Sequence, residues 1–162
     1  MVLQVGAGRA AAGFWVLSGY TGGSIQTATM MNPDAWSRRD IVNLADMNKD
    51  GVADLLWRNL DNGNLYLRRG KPGAVTGSVD LNSLMLGSNA VNGDESFGVT
   101  WTEANVSAAI GIPDINEDGI PDIWGRFASD GHMSIWHPAT NWANSPVKTV
   151  IGSGWNDKLA FG

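Results

Sequence analysis

The chain has 162 residues, 43% of them apolar and 17% charged, and its 16 acidic and 11 basic side chains give a formal charge of −5. This composition is typical of one globular domain, or of part of a larger one, and it excludes a disordered chain. The longest apolar stretch, Ala10 to Leu17, is too short to span a bilayer. The arginine pairs Arg38-Arg39 and Arg68-Arg69 stand alone and form no continuous basic face. We therefore expect neither a membrane span nor a nucleic-acid partner.

Short strands joined by turns dominate the sequence, because glycine, asparagine, aspartate and serine interrupt it at short intervals. Three strands are predicted, in chain order, within 13–19, 64–68 and 132–136. The first looks like the outer hairpin strand of a partial repeat unit, and the other two alternate apolar and polar residues. Leu65 and Leu67 share one face of the second strand, as Met133 and Ile135 do in the third. Hairpin-type turn sequences precede these two strands: Asp61-Asn62-Gly63 and Asp130-Gly131. The pattern predicts an all-β fold.

The chain contains an internal repeat at an offset of 68 residues, which is the spacing between Asp46 and Asp114. Two nine-residue segments align at this offset and are identical at five positions: Asp46-Met47-Asn48-Lys49-Asp50-Gly51-Val52-Ala53-Asp54 and Asp114-Ile115-Asn116-Glu117-Asp118-Gly119-Ile120-Pro121-Asp122. The same offset matches Arg58 with Arg126 without a gap. A repeat of this length indicates a propeller or a related array.

Each aligned segment has the pattern Asp-x-Asn-x-Asp-Gly-x-x-Asp, which puts oxygen-bearing side chains at alternate positions and glycine where the chain turns. Oxygen ligands at this spacing suit Ca²⁺, so we expect one ion in each loop. The expected ligands are the side chains at positions 1, 3, 5 and 9 and the carbonyl oxygen at position 7: Asp46, Asn48, Asp50, Asp54 and Val52, then Asp114, Asn116, Asp118, Asp122 and Ile120. An EF-hand is excluded, because its position 12 needs glutamate and holds Trp57 or Gly125 here. The alternative is a plain Asn/Asp/Gly turn that holds no metal.

The strand sequences that follow the loops, Leu55-Leu56-Trp57-Arg58 and Ile123-Trp124-Gly125-Arg126, complete a family pattern. Loop and strand together resemble the FG-GAP repeats of integrin α-subunit propellers and the related VCBS repeats of secreted bacterial proteins, over nearly the whole chain. The resemblance implies one β-propeller blade per repeat, Ca²⁺ in the loop between the first two strands, and an extracellular location. The chain departs from the family pattern before each loop, where Leu44-Ala45 and Ile112-Pro113 replace a Gly-Ala-Pro element.

On this resemblance the chain is one repeat domain that holds about three blades' worth of sequence. Its expected segments are a partial blade (1–35), a repeat (36–78), an insertion (79–104), a repeat (105–150) and a partial blade (151–162). Three blades do not close a ring, since closed propellers have about four to eight. We therefore expect the propeller to be completed in a homo-oligomer or by the remainder of a larger propeller chain.

The sequence predicts no catalytic residue. The two histidines, His132 and His137, are expected at the surface of a blade, with no third partner for zinc or for nucleophilic catalysis. Because flat aromatic rings stack on sugars, Trp136 and Trp142 are the candidates for ligand binding; the alternative is that they pack between blades. We expect a calcium-binding recognition or scaffold module of a secreted protein that binds a glycan or an extracellular protein. Two alternatives stay open: a propeller-platform enzyme, such as a carbohydrate-active hydrolase or lyase, and a purely structural spacer.

Overall fold

A computed structural model of the chain describes residues 2–4, 14–19, 22–31, 36, 38–138 and 147–157. The described residues contain eleven strands: β1 (Val2–Gln4), β2 (Phe14–Ser18), β3 (Thr27–Met31), β4 (Arg39–Ala45), β5 (Asp54–Asn59), β6 (Asn64–Arg68), β7 (Asp94–Gly98), β8 (Val106–Ile112), β9 (Asp122–Phe127), β10 (Met133–His137) and β11 (Val147–Gly152). The helical elements are α1 (Leu81–Met85) and a 3₁₀ turn (Gly87–Asn89). The prediction of an all-β fold is confirmed. None of the described helices is long and apolar enough to cross a membrane.

The chain divides into two compact units, Met1–Asp40 and Ile41–Gly162. The first unit holds a three-stranded sheet of order β1-β2-β3, in which both pairings are antiparallel. Its central strand, β2, is the strand predicted within 13–19. The side chain of Val16 on this strand is buried.

Two four-stranded sheets make up the second unit, one of order β4-β5-β6-β7 and the other of order β8-β9-β10-β11. Successive strands are neighbours in both sheets, and the registers of β5 to β7 and of β8 to β11 are antiparallel. Leu55 pairs with Arg68 in the first sheet, and Ile123 pairs with Trp136 in the second. Corresponding residues at the offset of 68 therefore occupy the same register. None of the described sheets closes on itself.

The predicted hairpin turns are confirmed at Gly63, between β5 and β6, and at Gly131, between β9 and β10. Their φ angles are 68° and 70°, a conformation that glycine adopts at little cost. A Cβ atom at Gly63 would lie 2.5 Å from the backbone nitrogen of Thr102, and one at Gly131 would lie 2.5 Å from that of Asn156. Both turns thus require glycine for its φ angle and for the close approach of a neighbouring connector.

The core of the second unit lies between its two sheets and draws on both. Its buried members are Val42, Met47, Leu56, Leu65, Leu67, Phe97, Trp101, Val106, Ile120 and Ile123. Leu65 and Leu67 are buried together, as are Met133 and Ile135, so the predicted faces of β6 and β10 are confirmed. Burial of each such aliphatic side chain contributes roughly 1.5–3 kcal/mol to folding.

Between β6 and β7 lies a long connection, residues 69–93, that carries α1 and the 3₁₀ turn. Arg68 binds the carboxylate of Asp94 through Nε and Nη2, at 2.7 and 2.9 Å, and donates from Nη1 to the carbonyl oxygen of Leu84 at 2.8 Å. This buried arginine ties the connection to β7. The stretch 79–104, which the sequence predicts as an insertion, contains β7, the fourth strand of the first sheet, and Phe97 on this strand lies in the core.

Candidate metal-binding loops and an aromatic cleft

The first candidate loop runs from the end of β4 to the start of β5 and is wrapped around the carboxylate of Asp46. Its Oδ1 accepts from the backbone N–H of Asp50 at 3.1 Å, and its Oδ2 accepts from that of Gly51 at 2.8 Å. The carboxylate of Asp50 in turn accepts from the N–H of Val52 at 2.9 Å and from the amide of Asn48, also at 2.9 Å. Such side-chain to backbone bonds are typical of Asx turns, and they fix the loop locally.

The second loop, between β8 and β9, repeats these bonds. Asp114 accepts from the N–H groups of Asp118 at 3.2 Å and Gly119 at 2.6 Å. Asp118 accepts from the N–H of Ile120 at 2.8 Å and from the amide of Asn116 at 3.1 Å. Four bonds of the first loop thus have counterparts at the offset of 68.

The backbone of the two loops also agrees. The φ angle is positive at position 4, with 65° for Lys49 and 59° for Glu117, and at position 6, with 84° for Gly51 and 85° for Gly119. The expectation that glycine stands where the chain turns is confirmed. A non-glycine residue in the left-handed region costs about 1–3 kcal/mol, and this cost is borne at the same position of both loops.

The aspartates at position 9, Asp54 and Asp122, are fully buried. Asp54 accepts from the N–H of Met47 at 3.1 Å and from that of Gly70 at 3.0 Å, and so joins the start of the loop to the end of β6. Burial raises the pKa of Asp54 to about 6, against the lowering effect of these two hydrogen bonds. Asp122 makes the corresponding bond to the N–H of Ile115 at 2.8 Å.

A cation would meet only hard oxygen donors in these loops, which is the ligand chemistry of Ca²⁺. Each carboxylate oxygen that accepts one N–H keeps a second lone pair. The hydrogen bonds within the loop therefore leave lone pairs free to coordinate a metal ion. Among the described residues, however, no three acidic, histidine or cysteine side chains converge closely enough to hold a metal ion as they stand. The oxygen ligands fit the chemistry of a calcium ion. In the described structure, however, the side chains are arranged around hydrogen bonds within each loop.

Lys49 connects the two loops. Its ammonium group lies at position 4 of the first loop and donates to the backbone carbonyl of Asp118 in the second. Its side chain also lies 3.1 Å from the position that a Cβ atom on Gly119 would take. The two candidate sites are therefore neighbours, and a basic side chain extends from the first loop to the backbone of the second.

The ring of Trp136, a candidate ligand-binding residue, packs against the core between the two sheets. Its centroid lies 4.6 Å from that of Trp101 and 5.5 Å from that of Phe127. The three rings line a cleft of about 360 Å³ whose polar lining includes Asn105 and Ser129. Trp142, the second candidate, lies outside the described residues. Sequence reasoning missed Trp101 and Phe127, because neither stands in a motif.

The histidines differ from the surface residues that the sequence predicts, since both are largely buried. His132 is 17% exposed, stacks on Phe127 with centroids 4.1 Å apart, and contacts Asp130 through Nδ1 at 2.5 Å. The backbone N–H of His132 and then its side chain hold the pKa of Asp130 below its ordinary value. His137 is 14% exposed, and its Nδ1 lies 3.0 Å from Oδ1 of the buried Asp122.

His137 and Asp122 are residue types that form catalytic dyads, but strand β10 places no nucleophile beside His137. Ser134 stands three residues before His137 on β10, and residues an odd number apart on a strand point to opposite faces.

Comparison of the chain with protein-family models, curated proteins and solved structures found no match.

Proposed function

We propose that the chain is a calcium-binding module of a secreted protein, built from β-propeller blades, and that it acts in recognition or as a scaffold rather than as an enzyme. The observation that carries the proposal is the agreement of the two Asp-rich loops in bonds and backbone. Asp46 and Asp114 each accept from the backbone N–H groups at positions 5 and 6 of their own loop, and both loops have a positive φ at positions 4 and 6. Turn propensity alone does not require this agreement together with a buried aspartate at position 9.

Strand order supports the blade interpretation. Each sheet of the second unit is a run of four successive strands, which is the arrangement within a propeller blade, and the two sheets pack through one core. The loops lie between the first and second strands of their sheets, where FG-GAP and VCBS repeats hold calcium. We take the sheets β4–β7 and β8–β11 as two blades.

Two tryptophans whose backbones bind equivalent hairpin turns support completion of the propeller by further blades. The backbone N–H of Trp101 donates to the carbonyl of Gly63 at 2.7 Å, and the backbone N–H of Trp155 donates to the carbonyl of Gly131 at 3.0 Å. Trp101 belongs to the core between the sheets and is 5% exposed, whereas Trp155 is 42% exposed. We propose that Trp155 is covered by another blade, from a second copy or from the remainder of a larger propeller chain.

The proposed ligand is a glycan or an extracellular protein, and the cleft beside Trp136 is the candidate site. Aromatic rings and nearby amide and hydroxyl groups are what a sugar needs for stacking and hydrogen bonding. A glycan-array screen in calcium buffer tests this part of the proposal. Binding that disappears in Trp136→Ala supports a lectin, and silence of the array favours a protein partner or a spacer.

Thermal unfolding in calcium and in EGTA tests the calcium proposal. If the ion binds only the folded loops, a hundredfold excess over Kd stabilises the protein by about 2.7 kcal/mol per site. Asp50→Ala and Asp118→Ala should each remove about half of the calcium-dependent gain in Tm. Magnesium should replace calcium poorly, because it demands a smaller octahedral shell.

A matched control is Glu103→Gln, which removes an exposed carboxylate outside both loops. Its gain in Tm on adding calcium should equal that of the unmodified chain. The calcium proposal is wrong if EGTA leaves the Tm of the unmodified chain unchanged.

A further inference from the structure

Asp54 and Asp122 stand at position 9 of their loops and begin the second strand of their sheets, but their carboxylates have different partners. Oδ1 of Asp54 accepts from the backbone N–H of Gly70, the second residue after β6. At the offset of 68 the residue corresponding to Gly70 is Pro138, which follows β10 directly. Proline has no N–H group, so the bond that holds Asp54 has no backbone counterpart at Asp122.

A side chain occupies the place of the missing donor. Nδ1 of His137 lies 3.0 Å from Oδ1 of Asp122. Both atoms are buried, and neither makes a regular hydrogen bond in the described part of the chain, so this polar contact is what each has instead. The residue corresponding to His137 in the first sheet is Arg69, which pairs with Glu95 at 2.9 Å and leaves Asp54 to the backbone.

We infer that His137 is a positioning residue of the second loop: the polar contact of its Nδ1 with Asp122 takes the place of the hydrogen bond that Pro138 cannot donate. A buried carboxylate oxygen without any polar contact destabilises the fold, because it has lost its water and gained no partner. Held at Oδ1 by His137 and at Oδ2 by Ile115, Asp122 fixes the end of the loop to its beginning. The effect on loop structure stands without metal, while the effect on calcium rests on the proposed function.

Three variants of the full chain separate this role from simple packing. His137→Ala removes the donor, His137→Asn keeps an N–H near the position of Nδ1, and His137→Ala combined with Pro138→Gly restores the backbone donor that Gly70 provides in the first loop. In EGTA we expect a lower Tm for His137→Ala and recovery of most of the loss in the other two variants. Glu103→Gln is the control and should leave the Tm unchanged.

Calcium affinity gives the second readout, measured with Asp50→Ala present throughout so that only the second loop reports. His137→Ala should weaken binding by about ten- to hundredfold, which is the usual effect of removing a group that orients a metal ligand. His137→Asn and the Pro138→Gly combination should recover it.

An unchanged Tm of His137→Ala in EGTA would overturn the inference. A loss that neither rescue variant restores would overturn it too, because the ring would then act by packing alone. Absence of calcium binding in the unmodified chain is a different failure: it removes the proposed function, and the metal-free unfolding still decides the role of His137.

Discussion

At the scale of single residues, the sequence pattern identifies the side chains of the two loops. It does not predict all of the backbone features of those loops. The glycines at position 6 follow from the sequence, since few other residues adopt a positive φ at little cost. The positive φ of Lys49 and Glu117 does not follow, because neither residue type is typical of that conformation. The sequence does not predict the burial of Asp54 and Asp122 either, because a motif defines the spacing of residues and not their exposure to solvent.

The raised pKa of Asp54 predicts a pH dependence of stability in the metal-free protein. Its folded pKa of about 6 lies above the ordinary value of about 4, so between these pH values the folded state binds more protons than the unfolded state. This residue therefore contributes a loss of stability as pH rises from about 4 to about 6, and no further change above that.

The measurement is the free energy of unfolding in EGTA across this range, for the unmodified chain and for Asp54→Asn, which does not titrate. The unmodified chain should lose stability relative to the variant as pH rises through this window. Parallel pH profiles would show that Asp54 does not carry the shifted pKa.

At the scale of strands and sheets, alternation and turn chemistry predicted β6, β10 and their hairpins correctly. The sequence did not predict β7, because Asp94–Gly98 has a single large apolar residue, Phe97, in a stretch rich in serine, asparagine and glycine. Its place in the sheet depends instead on long-range contacts, above all the pairing of Arg68 with Asp94. Such contacts leave no trace in a local pattern.

Trp136 provides a prediction at this scale, since its ring lies against Trp101 and Phe127 between the sheets. Trp136→Ala should destabilise the protein by about 2–3 kcal/mol, less than a fully buried tryptophan because the ring is half-buried. Chemical denaturation in EGTA measures this, and Val75→Ala, at a side chain 70% exposed, is the control. Unchanged stability together with lost glycan binding would instead assign the ring to ligand stacking alone.

At the scale of the whole molecule, the described strands form three open sheets. Composition and repeat spacing predicted an all-β chain, and the resemblance to FG-GAP and VCBS repeats adds the hypothesis of a propeller. Sequence motifs do not determine how many blades form a ring or which chain supplies the further blades. These depend on the contact surfaces between blades. The exposure of Trp155, against the burial of Trp101, is the feature that bears on them.

Light scattering in calcium at micromolar concentration should give a mass above that of one 17.2 kDa chain. Trp155→Ser should lower the measured mass, because it removes apolar surface from the expected contact, whereas Val75→Ser, in the connection between β6 and β7, should not. A folded, monomeric chain in calcium would contradict completion of the propeller by a second copy.

We propose that each Asp-rich loop holds one calcium ion. Isothermal titration of the metal-free chain with calcium counts the sites directly, and we expect two. Asp50→Ala and Asp118→Ala should each leave one site, the double variant none, and Glu103→Gln both. A stoichiometry that is zero in the unmodified chain, or that stays at two in the double variant, would contradict the claim.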